Sequence, residues 1–145
     1  MTRVLVPLDD SPMAQRALEQ ALGDYPDAEF HLLHVIDFVE AGYAASPDVG
    51  MSGYIDEWED AARDRAAKLF ENAKATASEA GVDRDVETTV EIGPPSRTIV
   101  EYAKEHDIDY VVMGCHGRAG VSRVLLGSVA ESVVRRSPCP VLVVR

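Results

Sequence analysis

Cysteine, positive charge and long apolar runs are all scarce in this sequence of 145 residues. Two cysteines are too few for the disulfide framework that holds many small secreted domains together. No apolar run approaches the ~20 residues that a membrane-spanning helix needs. The first residues, MTRVL, lack the apolar stretch of a signal peptide and read directly as a strand. We therefore expect a cytoplasmic protein that does not contact membranes.

Basic residues number 14 against 25 acidic ones, which gives a net charge of −11. The lysines are Lys68, Lys74 and Lys104, and the other basic residues are arginines. Nucleic acid and anionic membranes both require a basic face, so we expect neither as a partner. An acidic, lysine-poor surface is typical of salt-adapted proteins, whose self-repulsion is screened at high ionic strength. An ordinary acidic cytosolic protein is the alternative.

Apolar runs alternate with helical patterns along the chain. Strands are predicted at Arg3 to Leu8 and Glu29 to Ile36, where the runs are nearly continuous and indicate burial on both faces. Asp85 to Ile92 alternates between apolar and polar residues, which predicts an edge strand. Two more strands are predicted at Asp109 to Met113 and Pro140 to Val144. The first helical pattern starts at Pro12, with Ser11 as its N-cap, and stops at Gly23. Further helical patterns run from Ile55 to Ala80, where Gly81 closes the helix, after Gly93-Pro94-Pro95-Ser96, and from Val129 to Arg136.

This alternation predicts one α/β domain over residues 1–145, built on a doubly wound parallel sheet with helices on both faces. Ligands of such sheets bind beyond the carboxyl ends of the strands, where the winding direction reverses. Residues 37 to 54 lack clear periodicity. An excursion of that length is either a functional element, such as a lid, or a floppy acidic loop.

The segment Met113 to Val129, MGCHGRAGVSRVLLGSV, leads from the fourth strand into the last helix. Glycine lets backbone N–H groups approach a ligand closely, and a helix N-terminus adds unpaired donors and partial positive charge. The spacing matches neither the Rossmann pattern nor a P-loop. From the residues alone, a phosphate cradle and a simple mobile turn both remain open.

The order Gly114, Gly117 and Gly127-Ser128 resembles the nucleotide-binding signature of the universal stress protein family. The similarity covers nearly the whole chain, through VLVPLDDS near the start, LLHVID in the second strand and SPCPVLVV at the end. The resemblance implies the ATP-binding subclass and the strand order 3-2-1-4-5, with the reversal between strands one and four. Cys115 and Ala119 stand where family members often have hydroxyl residues, so we expect one or two fewer phosphate hydrogen bonds.

The resemblance places ATP, with Mg²⁺ bound through its phosphates, between Asp9 and the glycine segment. The Asp9 carboxylate can accept from a ribose hydroxyl or ligate Mg²⁺, and capping of the first helix beside Ser11 is its alternative role. Arg118 and Arg123 can neutralise phosphate charge, or they are solvated surface residues. The residues expected at the nucleotide are Pro7, Leu8, Asp9, Val35, Met113, Gly114, His116, Gly117, Arg118, Gly127, Ser128 and Val129.

Three functions follow from these features. The first is a nucleotide-dependent stress-response or signalling module, the second a slow ATPase, and the third a nucleotide-free dimeric interaction protein. We expect at most slow hydrolysis, because His116 is the only general-base candidate in the loop. His31 and His34 lie three apart on a strand and point to opposite faces, which argues against a shared metal site.

The final strand, Pro140 to Val144, would be an apolar sheet edge in the order 3-2-1-4-5. Such an edge favours pairing with a second copy, and the family resemblance implies dimers of this kind. We therefore expect a homodimer through this strand. The alternative is that a helix or the segment 37 to 54 covers the edge within one chain.

Salt dependence tests the interpretation of the charge. We expect the melting temperature to rise between low and molar KCl, because salt screens the repulsion among the carboxylates. Thermal unfolding followed by circular dichroism over this range measures the effect. A melting temperature that is flat or falls would support the ordinary acidic protein.

Overall fold

In a computed structural model of the protein, residues 1–37, 51–82, 86–115 and 126–145 are described, the side chains of the second range from residue 56 onward. Strands and helices alternate within these ranges. The strands are β1 (Arg3–Pro7), β2 (Glu29–Ile36), β3 (Val86–Ile92), β4 (Tyr110–Gly114) and β5 (Val141–Val144). The helices are α1 (Pro12–Asp24), α2 (Met51–Glu79), α3 (Pro95–Glu105) and α4 (Ser128–Arg136).

The strands form one five-stranded parallel sheet in the order β3-β2-β1-β4-β5. This order confirms the predicted fold class. β1 is the central strand and pairs with β2 on one side and β4 on the other. The chain winds from β1 outward to β3 and then returns to β4, so the winding direction reverses between β1 and β4.

Two apolar cores cover the sheet, one on each face, because successive side chains of a strand point to opposite sides. Val4 and Val6 of β1 belong to a core with Leu18 of α1 and Phe70 of α2. Leu5, between them in sequence, belongs to the other core, which contains the buried residues of α3 and α4. Helices therefore lie on both faces, as predicted.

The predicted end of α1 at Gly23 is wrong, because the helix runs on to Asp24. The N–H group of Tyr25 closes the helix by donating to the carbonyl of Ala21, 2.9 Å away. Pro26 comes next, and the residue before a proline is disfavoured in the helical region. The proline therefore explains the boundary better than the glycine does.

Helix α2 begins at Met51, four residues before the predicted start at Ile55. The first N–H groups of a helix have no intrahelical acceptor, so Gly53 is less costly there than in a helix interior. The end of α2 agrees with the prediction: Gly81 follows it with φ 83°, a left-handed conformation that glycine adopts without strain. Residues 38–50, which make up most of the predicted lid over residues 37 to 54, lie outside the described ranges, while residues 51–54 form the start of α2.

The two edges of the sheet differ in composition. β3 has no fully buried residue, which agrees with its prediction as an edge strand. β5 forms the other edge with the sequence VLVV, and Leu142 remains 41% exposed there. None of the helices in the described ranges is long and apolar enough to cross a membrane.

Candidate nucleotide site at the carboxyl ends of β1 and β4

The ends of β1 and β4 lie at the same edge of the sheet, because the two strands are parallel neighbours. β1 ends at Pro7, and Leu8 and Asp9 follow it. β4 ends at Gly114. Helix α4, which comes after the glycine-rich segment, begins at Ser128. The reversal of winding thus brings together the ends that the sequence marked as a site.

One oxygen of the Asp9 carboxylate already accepts a hydrogen bond within the chain. Its Oδ1 atom accepts a hydrogen bond from the N–H of Ser11 at 2.8 Å. Ser11 in turn caps α1, since its Oγ atom accepts from the N–H of Ala14 at 3.2 Å. Asp9 therefore helps to start the helix, which was its alternative role, while Oδ2 makes no bond within the described residues.

Gly114 allows β4 to approach the first turn of α1 closely. A Cβ atom at this position would lie 2.7 Å from Cβ and 3.0 Å from the carbonyl carbon of Met13. Real Cβ contacts do not become that short, so a side chain here would displace the start of α1. Sequence reasoning assigned Gly114 to the phosphates and missed this contact, because Met13 is remote from it in sequence.

The N–H of Gly127, predicted to face the phosphates, donates instead to the carbonyl of Cys115 at 2.7 Å. The N–H of Cys115 donates to the carbonyl of Val144 in β5 at 2.8 Å. These bonds join the two ends of the glycine-rich segment and tie them to the sheet. The N–H group of Gly127 therefore has a structural role instead of the predicted role as a donor to the phosphates.

The first turn of α4 supplies the remaining donors. Glu131 makes the first intrahelical bond, to the carbonyl of Gly127 at 3.0 Å, and the N-cap residue, Gly127, has no side chain to cap the helix. Within the described residues, the N–H groups of Ser128 and Val129 thus have no acceptor. Oriented N–H groups at a helix N-terminus attract anions. The carboxylate of Glu131 forms an ion pair one turn further along the helix with Arg135, whose Nη2 lies 2.9 Å away.

The other predicted site residues divide into three groups. Pro7 and Val35 are half-buried at the carboxyl edge, and Leu8 is buried. Met113 is 5% exposed and packs in the core under α3 and α4. The remaining predicted ligands lie outside the described ranges: His116, Gly117, Arg118 and Arg123.

His31 and His34 lie on opposite faces of β2, as predicted, and both have structural partners. His34 Nδ1 is 2.8 Å from the carbonyl oxygen of Leu8. His31 is buried, with Nδ1 2.8 Å from the Tyr102 hydroxyl and Nε2 2.8 Å from Glu29 Oε1. Burial is the main reason that the pKa of Tyr102 is raised above its ordinary value, which keeps its hydroxyl protonated.

Glu87 joins the His31 network, since its Oε2 atom lies 3.4 Å from His31 Nδ1. Glu29, His31 and Glu87 place three possible metal ligands within 4.8 Å of one another. The sequence did not show this grouping, because Glu87 comes from β3. Both nitrogens of His31 already have partners, so we interpret the cluster as a hydrogen-bond network around one buried histidine.

Comparison with known proteins decides the family. A sequence profile described as the Universal stress protein family matches residues 1–145. The chain belongs to the universal stress protein family. Universal stress protein YxiE of Bacillus subtilis is 36% identical over 149 residues, covering 99% of this chain and 98% of the relative.

Solved structures of the family share the fold. Universal stress protein UspA from Lactobacillus plantarum superposes with a TM-score of 0.86 at 30% identity, over 99% of this chain and 97% of that one. A universal stress protein crystallised in complex with cAMP superposes with a TM-score of 0.72 at 28% identity, over 99% of this chain and 97% of that one. Nucleotide binding therefore occurs on this fold in a structural neighbour.

Replacing Gly114 with alanine tests the contact between β4 and α1. We expect Gly114→Ala to destabilise the protein by about 1–3 kcal/mol, because the added Cβ overlaps Met13. Gly23→Ala is the matched control: nothing lies within 4 Å of its added Cβ, and alanine is the better helix former by about 1 kcal/mol. Denaturant unfolding of both variants measures the change. Equal stability of Gly114→Ala and the native protein would contradict the contact.

Proposed function

We propose that the protein binds ATP together with Mg²⁺ at the carboxyl ends of β1 and β4, and that it acts as a nucleotide-dependent stress-response module. One observation carries the proposal: the first turn of α4 presents the N–H groups of Ser128 and Val129 at the edge where β1 delivers Asp9. A related universal stress protein that binds cAMP supports a nucleotide as the ligand.

The phosphates would meet the first turn of α4. The amides of Ser128 and Val129 donate toward an anion, and the helix dipole adds a favourable field over about one turn. Local donors matter here because the whole chain carries a charge of −11 and gives a triphosphate no long-range attraction. Arg118 and Arg123 are the proposed cationic contacts, and bidentate guanidinium groups suit phosphate oxygens.

The ribose would lie against Asp9. Oδ1 is held by Ser11, so Oδ2 is the atom that faces a ribose hydroxyl. The same oxygen suits Mg²⁺, which is commonly held by one or two carboxylates together with substrate phosphates. The half-buried Pro7 and Val35 offer an apolar edge and backbone groups to the adenine.

We propose binding and signalling rather than efficient hydrolysis. A general base needs to hold a water next to the γ-phosphate. Among the described residues at this edge, Asp9 acts as a turn acceptor for Ser11, and His34 makes its Nδ1 contact with the backbone carbonyl of Leu8. Neither arrangement resembles a base oriented toward a phosphate.

Replacing Asp9 with asparagine tests the ATP site. The amide oxygen of Asp9→Asn can still accept from Ser11, while the ribose and Mg²⁺ lose a carboxylate oxygen. We expect about 10- to 100-fold weaker binding of ATP–Mg²⁺ by titration calorimetry, the range for a hydrogen bond to a charged group. Asp27→Asn, in the exposed turn between α1 and β2, is a control with the same charge change. Failure of the native protein to bind ATP at any salt concentration would refute the proposal.

We also propose that two copies pair through β5. This strand is a sheet edge with the sequence VLVV, without proline or charge, and edges of this kind favour pairing. Two copies related by a two-fold axis would align their β5 strands antiparallel and bury Leu142 of each. The 41% exposure of Leu142 in the single chain is consistent with such an interface.

Replacing Leu142 with lysine tests the dimer. Its side chain is partly exposed in the single chain, so the fold should tolerate Leu142→Lys, while two like charges beside the dimer axis should separate the copies. We expect light scattering to give a dimer mass for the native protein and a monomer mass for the variant. Ile92→Lys, at the end of the opposite edge strand and 36% exposed, should remain dimeric. A native monomer at micromolar concentration in high salt would rule the dimer out.

A further inference from the structure

The turn that carries Asp9 is held by a side chain from the neighbouring strand. β1 ends at Pro7, and the N–H of Leu8 donates to the carbonyl of Leu33 in β2 at 2.8 Å. The carbonyl of Leu8 lies 2.8 Å from His34 Nδ1. Both backbone polar groups of Leu8 are therefore bound to β2 immediately before the chain reaches Asp9.

The chemistry of this contact determines which nitrogen of His34 carries hydrogen. A carbonyl oxygen only accepts hydrogen bonds, so Nδ1 must be the donor. In the neutral imidazole Nε2 is then unprotonated. The ring is half-buried, and the bond is short enough to hold the Leu8 carbonyl in one orientation.

The orientation of the Leu8 carbonyl sets the position of Asp9, because the two residues share that peptide plane. From Asp9 the connection continues through Oδ1 to the N–H of Ser11 and so to α1. His34 fixes the turn from the β2 side, and Ser11 fixes it from the helix side. The carboxylate lies between these two anchors, and its Oδ2 atom accepts no hydrogen bond from the described residues.

We propose that His34 is a positioning residue of the nucleotide site: its Nδ1–H group holds the Leu8 carbonyl so that Asp9 presents Oδ2 to the ribose. This inference rests on the proposed function and deepens it. His34 acts through Asp9 and touches no nucleotide atom itself. The hydrogen bond, rather than the bulk or aromaticity of the ring, is the property that the site uses.

Two variants separate the hydrogen bond from the bulk of the side chain. His34→Leu fills similar space without a donor, and we expect about tenfold weaker ATP–Mg²⁺ binding in titration calorimetry. His34→Asn places an amide N–H near the position of Nδ1, and we expect it to restore most of the affinity. His106→Leu is the matched control, since His106 Nδ1 likewise contacts a backbone carbonyl, that of Tyr102 at 3.1 Å, at the amino end of the sheet.

A double-mutant cycle distinguishes positioning from a general loss of structure. If His34 acts through Asp9, the loss caused by His34→Leu should largely disappear when Asp9→Asn is already present. A purely structural role would lower affinity by the same factor in both backgrounds. That result, or equal affinity of His34→Leu and the native protein, would overturn the inference.

Nitrogen-15 NMR of the native protein tests the same contact without any substitution. We expect the neutral form of the His34 ring to be the Nδ1–H tautomer with and without ATP. Detection of the Nε2–H tautomer would overturn the inference even if the His34→Leu variant failed to fold. The outcomes also separate the two proposals: native protein that does not bind ATP refutes the proposed function, whereas ATP binding that is insensitive to His34→Leu refutes only the role of His34.

Discussion

The close approach of β4 to α1 at Gly114 is the constraint on which the carboxyl edge depends. Only hydrogen in place of a side chain lets the backbone of Gly114 lie this near Met13. The contact fixes how closely β4 packs against the first turn of α1, and the turn that carries Asp9 leads directly into that helix. On the other side of Gly114, Cys115 ties the start of α4 to the sheet. Gly114 therefore lies at the point where β4 meets both α1 and the segment that leads to α4.

Short-range interactions must dominate any anion binding by this molecule. The protein carries a net charge of −11, so it does not attract a nucleotide from a distance. Salt weakens the repulsion at distances beyond the Debye length, which is about 10 Å at 0.1 M salt. Attraction begins at contact, where helix amides and a dipole act over one turn. The pairing of Glu131 with Arg135 keeps a carboxylate of the first turn of α4 engaged along the helix.

Regular features of this fold were readable from the sequence because their causes are local. Continuous apolar runs predicted the buried central strands, alternation predicted the edge strand β3, and the family resemblance supplied the strand order. Ser11 was recognisable as an N-cap because hydroxyl followed by proline is a local signal. The end of α1 was placed one residue early, because Gly23 and Pro26 are both local stop signals and the sequence alone does not show which of them acts.

Contacts between distant residues were not readable at all. The proximity of Gly114 to Met13, the bond from His34 to Leu8 and the use of the Gly127 amide by Cys115 all join separate elements. A single sequence records no such pairing. The candidate site was thus predicted as a set of residues at one edge, while the roles of several members followed only from the structure, and His116, Gly117 and Arg118 stay predictions.

The hydrogen bond between Gly127 and Cys115 separates the length of the glycine-rich segment from the position of the donors on α4. Once the ends of a segment are joined, the entropy of closing it grows only with the logarithm of its length, by about 0.6 kcal/mol for each doubling. Insertions between the two residues would therefore cost little and would leave the first turn of α4 in place. Evolution can therefore change the length and sequence of the segment while the amides of Ser128 and Val129 keep their position in the fold.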